Sequence, residues 1–159
     1  MTIDIARLEA LETRVRALED AEAIRNLKAR YAAYCDDQYN PDGIASLFAE
    51  DALWENQTLG AYRGREAIRA FFKRASQIYS FAIHYSLNGQ IEVDGDTARA
   101  QWYTFMPCIL AEGNRAMWRA GVDQEEYVRI DGEWKFKRKS SAPFFFTPFE
   151  EGWAKTRFI

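Results

Sequence analysis

"AIHYSLNGQIEVDGDTARAQWYTF", Ala82 to Phe105, holds two β-rich runs on either side of Asp94-Gly95-Asp96. Aspartate-glycine between such runs is the strongest short-range hairpin signal, because glycine takes the positive φ that the turn requires. The pattern continues outward. "EGN" at Glu112 and "DG" at Asp131 punctuate two more extended runs, giving segments at 82–93, 97–111, 115–130 and 133–142. This spacing predicts a meander of long antiparallel strands. Residues 143–159 form an aromatic tail broken by Pro143 and Pro148, read as a lid over a pocket or an interface strap.

Towards the N-terminus the period changes. Ile5, Leu8, Leu11, Val15 and Leu18 recur at steps of three and four, and Ala23, Ile24, Leu27, Tyr31 and Tyr34 extend the stripe. One helix, or two with a break and fresh cap at Asp20, is predicted over 4–35. Its first part, residues 1–19, reads as a helical arm that packs on something else, another subunit being one candidate. "DDQYNPDG" from Asp36 is a breaker cluster, followed by a short helix predicted over Gly43–Asp51. "ALWEN" and "GAYRG" read as short strands, and "GREAIRAFFKRAS", Gly64 to Ser76, as a helix with one apolar face. Helices first and strands after give one α+β domain over 1–159, its strongly curved antiparallel sheet packed against the N-terminal helices. Such a sheet closes into a cone with an apolar cavity at its open end.

Composition narrows the function. A net charge of −3 and a pI near 5.3 argue against a nucleic-acid partner, which calls for a basic patch. No apolar run reaches the ~20 residues that span a bilayer, and "MTIDIARLEA" lacks the pattern of a signal peptide, so the expectation is a cytoplasmic protein with no membrane partner. Cys35 and Cys108 form no CxxC pair and read as free thiols, with no metal signal. No cofactor is expected. Aromatic residues make up 15% of the chain, a surplus that fits a pocket for a small hydrophobic molecule, a subunit interface or a bulky core. Trp54, Phe71, Tyr85, Trp102, Trp118, Phe144 and Phe146 are the candidates for pocket walls.

His84 is the only histidine. Strand alternation places His84, Ser86, Asn88 and Gln90 on one face, and Trp102, Thr104 and Met106 on one face of the next strand. A catalytic imidazole needs an orienting carboxylate. Asp36 and Asp37, at the predicted helix C-terminus, are both candidates; a carboxylate there opposes the macrodipole and gains from a nearby cation.

The set "EAIRNLKARYAAYCDD…FAEDALWEN…YRGREAIRAFF…AIHYSLN…ARAQWY…EEYVRIDGEWKFKRKSSAPFFFTPF" resembles the SnoaL-like group of the NTF2-like cone fold, over about residues 20–150. Within it the chain is most similar to the scytalone dehydratase, hexachlorocyclohexane dehydrochlorinase and bile-acid 7α-dehydratase group. The resemblance implies a cofactor-independent lyase acting on a small cyclic or polycyclic substrate through a His–Asp dyad, His84 with Asp36. It implies Tyr31 as a hydrogen-bond donor and Asn88 as a substrate contact. It also implies a cation near the last strand's exit, which falls on Arg138 or Lys139. Lys139 shares alternation parity with Lys135 and Lys137, Arg138 with Trp134 and Phe136, and a bulge turns either inward. Tyr31 and Asp36 lie about 140° apart round a continuous helix, so facing one site calls for the helix to end before Asp36. The group also implies a homo-oligomer, trimer or dimer. Two other functions stay open: a ketosteroid-isomerase-like isomerase or polyketide-cyclase-like enzyme, and a non-catalytic ligand-binding or assembly domain.

Overall fold

The computed structural model describes residues 4–159, so the first three residues of the predicted arm lie outside the described residues. Helix α1 (Ile5–Asp36) is continuous. Asp4 is its cap, accepting from the Arg7 N–H at 3.3 Å. Asp20 starts no second helix: its buried carboxylate accepts from Arg129 Nη2 at 2.6 Å and Trp134 Nε1 at 3.1 Å, fastening the helix to the sheet. Burial begins there and continues through Ile24, Leu27, Lys28, Tyr31 and Cys35. Before Asp20 the apolar residues Ile5, Leu8, Leu11, Val15 and Leu18 are all exposed.

Asn40 caps α2 (Pro41–Ser46), accepting from the Gly43 N–H at 2.9 Å. This helix is shorter than predicted. Phe48 and Ala49 are buried and belong to β1 (Phe48–Asn56), so sheet packing overrides their helical spacing. β2 (Gly60–Arg63) pairs back on β1, and α3 (Arg65–Ile78) buries Ile68, Phe71, Phe72 and Ala75. Burying each phenylalanine contributes about 1.5–3 kcal/mol.

The remaining strands are β3 (Tyr79–Ala82), β4 (Tyr85–Asp94), β5 (Thr97–Leu110), β6 (Arg115–Ile130) and β7 (Glu133–Pro148). The sheet order is β2-β1-β7-β6-β5-β3, with β4 also on β5. It is a mixed sheet, because β1 runs parallel to β7 while the other pairings are antiparallel. The architecture is α+β, with the helices against one curled sheet. The first part of the predicted tail, Pro143–Pro148, is strand: it continues β7 against β6.

Three irregularities in the sheet position the site. First, β3 and β4 follow one edge of β5, interrupted at Ile83–His84. Ala82 pairs Cys108 and Tyr85 pairs Phe105, which sets the gap beside Met106 and Pro107. Proline has no N–H to give the ladder, and the His84 N–H is free to bond elsewhere. Second, a bulge at Asn88–Gly89 shifts the register of β4. Gly89 is required there, since a Cβ would lie 2.2 Å from the Trp102 ring. Third, β7 bulges at Lys137, where the register moves from Tyr127↔Phe136 to Glu126↔Arg138. That extra residue reverses the facing of Arg138 to Pro143, until a second bulge at Phe144, between Gly121↔Pro143 and Ala120↔Phe145, restores it.

Candidate active site

A cavity opens between α1, α3 and the inner face of the sheet. Tyr31, Trp54, Phe71, Tyr39 and Tyr79 give it an aromatic wall, and His84, Thr104, Arg119 and Lys139 bring polar groups to it.

His84 stands in the gap between β3 and β4. Its main-chain N–H donates to Asp36 Oδ1 at 2.9 Å, and its Nδ1 lies 2.8 Å from the same oxygen. One carboxylate oxygen therefore holds both the backbone and the ring. A carboxylate acceptor fixes the proton on Nδ1 and leaves Nε2 as the basic nitrogen. The Tyr39 ring packs edge-on against the imidazole at 5.7 Å. Asp37 is instead engaged by Asn40, so of the two candidate acids Asp36 meets the histidine.

The helix does not end before Asp36. Tyr31 faces the cavity while Asp36 lies round the helix, and His84 bridges the difference: it lines the cavity with Asp36 at its back. Tyr31 is buried among Phe48, Phe72 and Phe136, and its hydroxyl accepts from Trp54 Nε1 at 3.0 Å. Burial pushes its ionisation well above the usual tyrosine value, so it remains a neutral phenol. Burial likewise pushes the neighbouring Cys35 thiol up to about 12.

Lys139 lines the cavity and Arg138 does not. The bulge at Lys137 turns Lys139 and Ser141 inward and sends Arg138 out to Glu55, where its Nε donates at 3.0 Å. Lys139 Nζ sits 2.5 Å from Asp123 Oδ2 and 3.1 Å from Ser141 Oγ, with the Tyr31 ring beneath it at 5.2 Å. Lys28 reaches the same Asp123 oxygen at 2.8 Å and Glu125 Oε1 at 2.5 Å. Tyr127 donates to the other Glu125 oxygen, and Trp102 Nε1 donates to Tyr127 at 3.3 Å. Two cations and two anions thus form a buried box without net charge. Burial works against the charge on Asp123, but Lys139 and Lys28 hold its carboxyl far below the usual range. Burial also works against Lys28, and Asp123 and Glu125 override it to raise its pKa. For Lys139 burial prevails, helped by Lys28, and holds its pKa below the ordinary lysine value.

Several expected contacts are elsewhere. Asn88 sits in the bulge with φ +50° and is exposed, off the cavity face. Trp102 is buried against Gly89 and Tyr127, behind the cavity wall. Trp118 stacks on Phe105 and packs against Phe149 without lining the cavity, and Phe144, at the β6–β7 bulge, packs against Tyr103. Phe146 joins the Met106–Cys108–Met117 cluster. Trp54, Phe71 and Tyr85 do line the cavity. Sequence reasoning missed Lys28, Asp123, Glu125, Ser141, Thr104 and Arg119. Lys28 did carry a signal: it is a lone charge inside the apolar stripe Ile24–Leu27–Tyr31. Among the described residues no group of His, Cys, Asp and Glu converges as metal ligands, and no helix is long and apolar enough to cross a membrane.

Residues 16–140 match the model of the SnoaL-like domain. The chain belongs to this family. The SnoaL-like span carries Tyr31, Asp36, His84 and Lys139. Over 107 residues it is 31% identical to a gamma-hexachlorocyclohexane dehydrochlorinase of Sphingobium indicum, covering 66% of this chain and 69% of that protein. The crystal structure of a type 2 hexachlorocyclohexane dehydrochlorinase superposes with a TM-score of 0.78 at 29% identity, over 83% of this chain and 90% of the other. A protein described as a putative scytalone dehydratase, from Novosphingobium aromaticivorans, shares the fold with a TM-score of 0.76 at 22% identity, over 83% and 89% of the two chains.

Proposed function

We propose that this SnoaL-like protein is a cofactor-independent lyase that eliminates a small leaving group from a hydrophobic cyclic substrate. The observation that carries the reading is the double hold of Asp36 Oδ1 on His84. It fixes the tautomer and leaves Nε2 as the basic nitrogen of a residue that lines an aromatic cavity. The similarity to a dehydrochlorinase supports the same reaction class.

In this reading His84 Nε2 removes a proton from a substrate carbon. The C–H electron pair becomes the new π bond, and the leaving group departs from the adjacent carbon with its bonding pair. Asp36 stabilises the imidazolium that forms. The Lys139 ammonium faces the negative charge of the departing group, and Asp123 holds it in place. Tyr31, a neutral phenol, orders the wall between Trp54 and the lysines.

The test is mass spectrometry of products from γ-hexachlorocyclohexane and from hydroxylated alicyclic ketones, using the wild type, His84→Gln and Asp36→Asn. The expected product is lighter by HCl or water, and its rate of formation falls by roughly 10²–10⁴-fold with His84→Gln. A product of unchanged mass would assign isomerisation instead. Turnover indifferent to His84 would remove the dyad from the reaction.

A further inference from the structure

Two polar groups that line the cavity have no side-chain partner among the described residues. Arg119 lines the cavity from β6. Arg69, Arg129 and Arg138 each hold a carboxylate, whereas Arg119 holds none among the described residues. It lies close enough to oppose the burial that pushes the Cys108 thiol up to about 12 and that raises Tyr79. The buried Thr104 Oγ1 is the second such group: it lines the same cavity and has no hydrogen-bond partner. An unmet buried hydroxyl is costly, and protein cavities satisfy such groups with ligand or water.

The register puts these groups in line with the dyad. Met106 pairs with Arg119 on one side, and on the other its neighbour across the strand gap is His84. Thr104 is one inward-facing position along β5, paired with Gly121, which adds no side chain to the floor. Adjacent strands lie ~4.8 Å apart, so His84 and Arg119 stand about 10 Å apart across one intervening strand. A ring-sized molecule spans the space between their side chains. The buried box cancels its own charge, and Arg119 is the cation lining the cavity that holds no carboxylate of its own among the described residues.

We propose that Arg119 and Thr104 form an anion subsite and that the natural ligand is a cyclic carboxylate. The carboxylate takes the planar fork of Arg119 and the Thr104 hydroxyl, and the ring presents its carbon to His84. This deepens the proposed lyase reading and rests on the same cavity, but its test uses binding alone.

Wild-type protein is titrated with 2-naphthoate and with the neutral isostere 2-naphthamide, by calorimetry and by the ring resonances of His84. The single histidine makes that assignment unambiguous. A charge-assisted fork corresponds to a preference for the carboxylate of roughly tenfold or more. Arg119→Gln abolishes the preference while 2-naphthamide still binds, which shows the variant folded. Arg119→Lys restores part of it, and Thr104→Val weakens naphthoate more than naphthamide. Equal affinity for the two probes in the wild type would overturn the proposal. So would a preference that survives Arg119→Gln but is lost in Lys139→Gln. His84→Gln leaves the preference in place, so loss of the elimination reading and loss of the subsite are separate results.

Discussion

Asp36 and His84 meet with side chains 33% and 21% exposed, whereas those of Lys28, Asp123, Glu125 and Lys139 are each 5% exposed or less. Both constellations border one cavity. The first leaves an imidazole nitrogen uncommitted and keeps water within reach of its carboxylate, so a proton can come and go. The second commits every charge to a partner inside the protein. Removing one member strands another in a medium where an isolated ion is expensive. The difference separates a group suited to chemistry from one suited to holding strands and helix in register.

Breaking the box gives the largest effect on folding. Asp123→Asn leaves Lys28 and Lys139 facing only Glu125, and is expected to destabilise by about 3–5 kcal/mol, read by chemical denaturation. The same carboxylate predicts an acid limb. Its pKa is depressed in the folded state, so the unfolded chain binds more protons, and stability falls as pH drops below the ordinary aspartate value of about 3.9. Asp20, lowered by its hydrogen bond to Arg129, acts in the same direction. Asp123→Asn should flatten this limb, which a pH series of unfolding curves measures.

His84→Gln inverts the pattern. The side chain is partly exposed and bonds only one neighbour, so stability should change by less than about 1 kcal/mol. Turnover should fall by roughly 10²–10⁴-fold, the contribution of a positioned base. An equal loss of stability and activity would erase the distinction between the two constellations. Gly89→Ala comes next. Its Cβ meets the Trp102 ring at 2.2 Å, and Trp102 is held by Tyr127 of the box. Overpacking of this kind costs about 1–3 kcal/mol, and a melting curve reads it.

The long strands and α3 were legible because their periodicity is sustained and their turns carry Gly. The residues alone left Asp36 and Asp37 both open as partners of the unique His84; the family resemblance pointed to Asp36, and the 2.8 Å contact falls there. The residues that escaped, or were placed wrongly, follow the irregularities. Asn88 leaves the cavity face because the bulge it sits in breaks alternation. Asp123 and Glu125 lie in "GVDQEEYVRI", where acids occupy both faces and nothing local marks the inward pair. Partners such as Lys28 and Asp123 are 95 residues apart, and only the closed sheet joins them. The Pro143–Pro148 segment read as a tail because it carries two prolines, yet Pro143 is tolerated in β7 beside a bulge.

Arg138 and Lys139 give the finest form of the comparison, since they are adjacent and one bulged residue decides their fates. Arg138 is half-exposed and its guanidinium meets Glu55 on the outer face. Exposed pairs of this kind contribute about 0.2–1 kcal/mol. Arg138→Gln should therefore change stability by no more than that and leave turnover and naphthoate binding at wild-type values. The depressed pKa of Glu55, caused by its hydrogen bond to Arg138, should return towards that of a free glutamate, which carboxyl NMR reads. Lys139→Gln carries a similar loss of one charge but removes it from the box, and should cost several-fold more stability as well as turnover. If the two variants behaved alike, the reversal of facing at Lys137 would have no energetic consequence, and Lys139 would lose its place in the cavity wall.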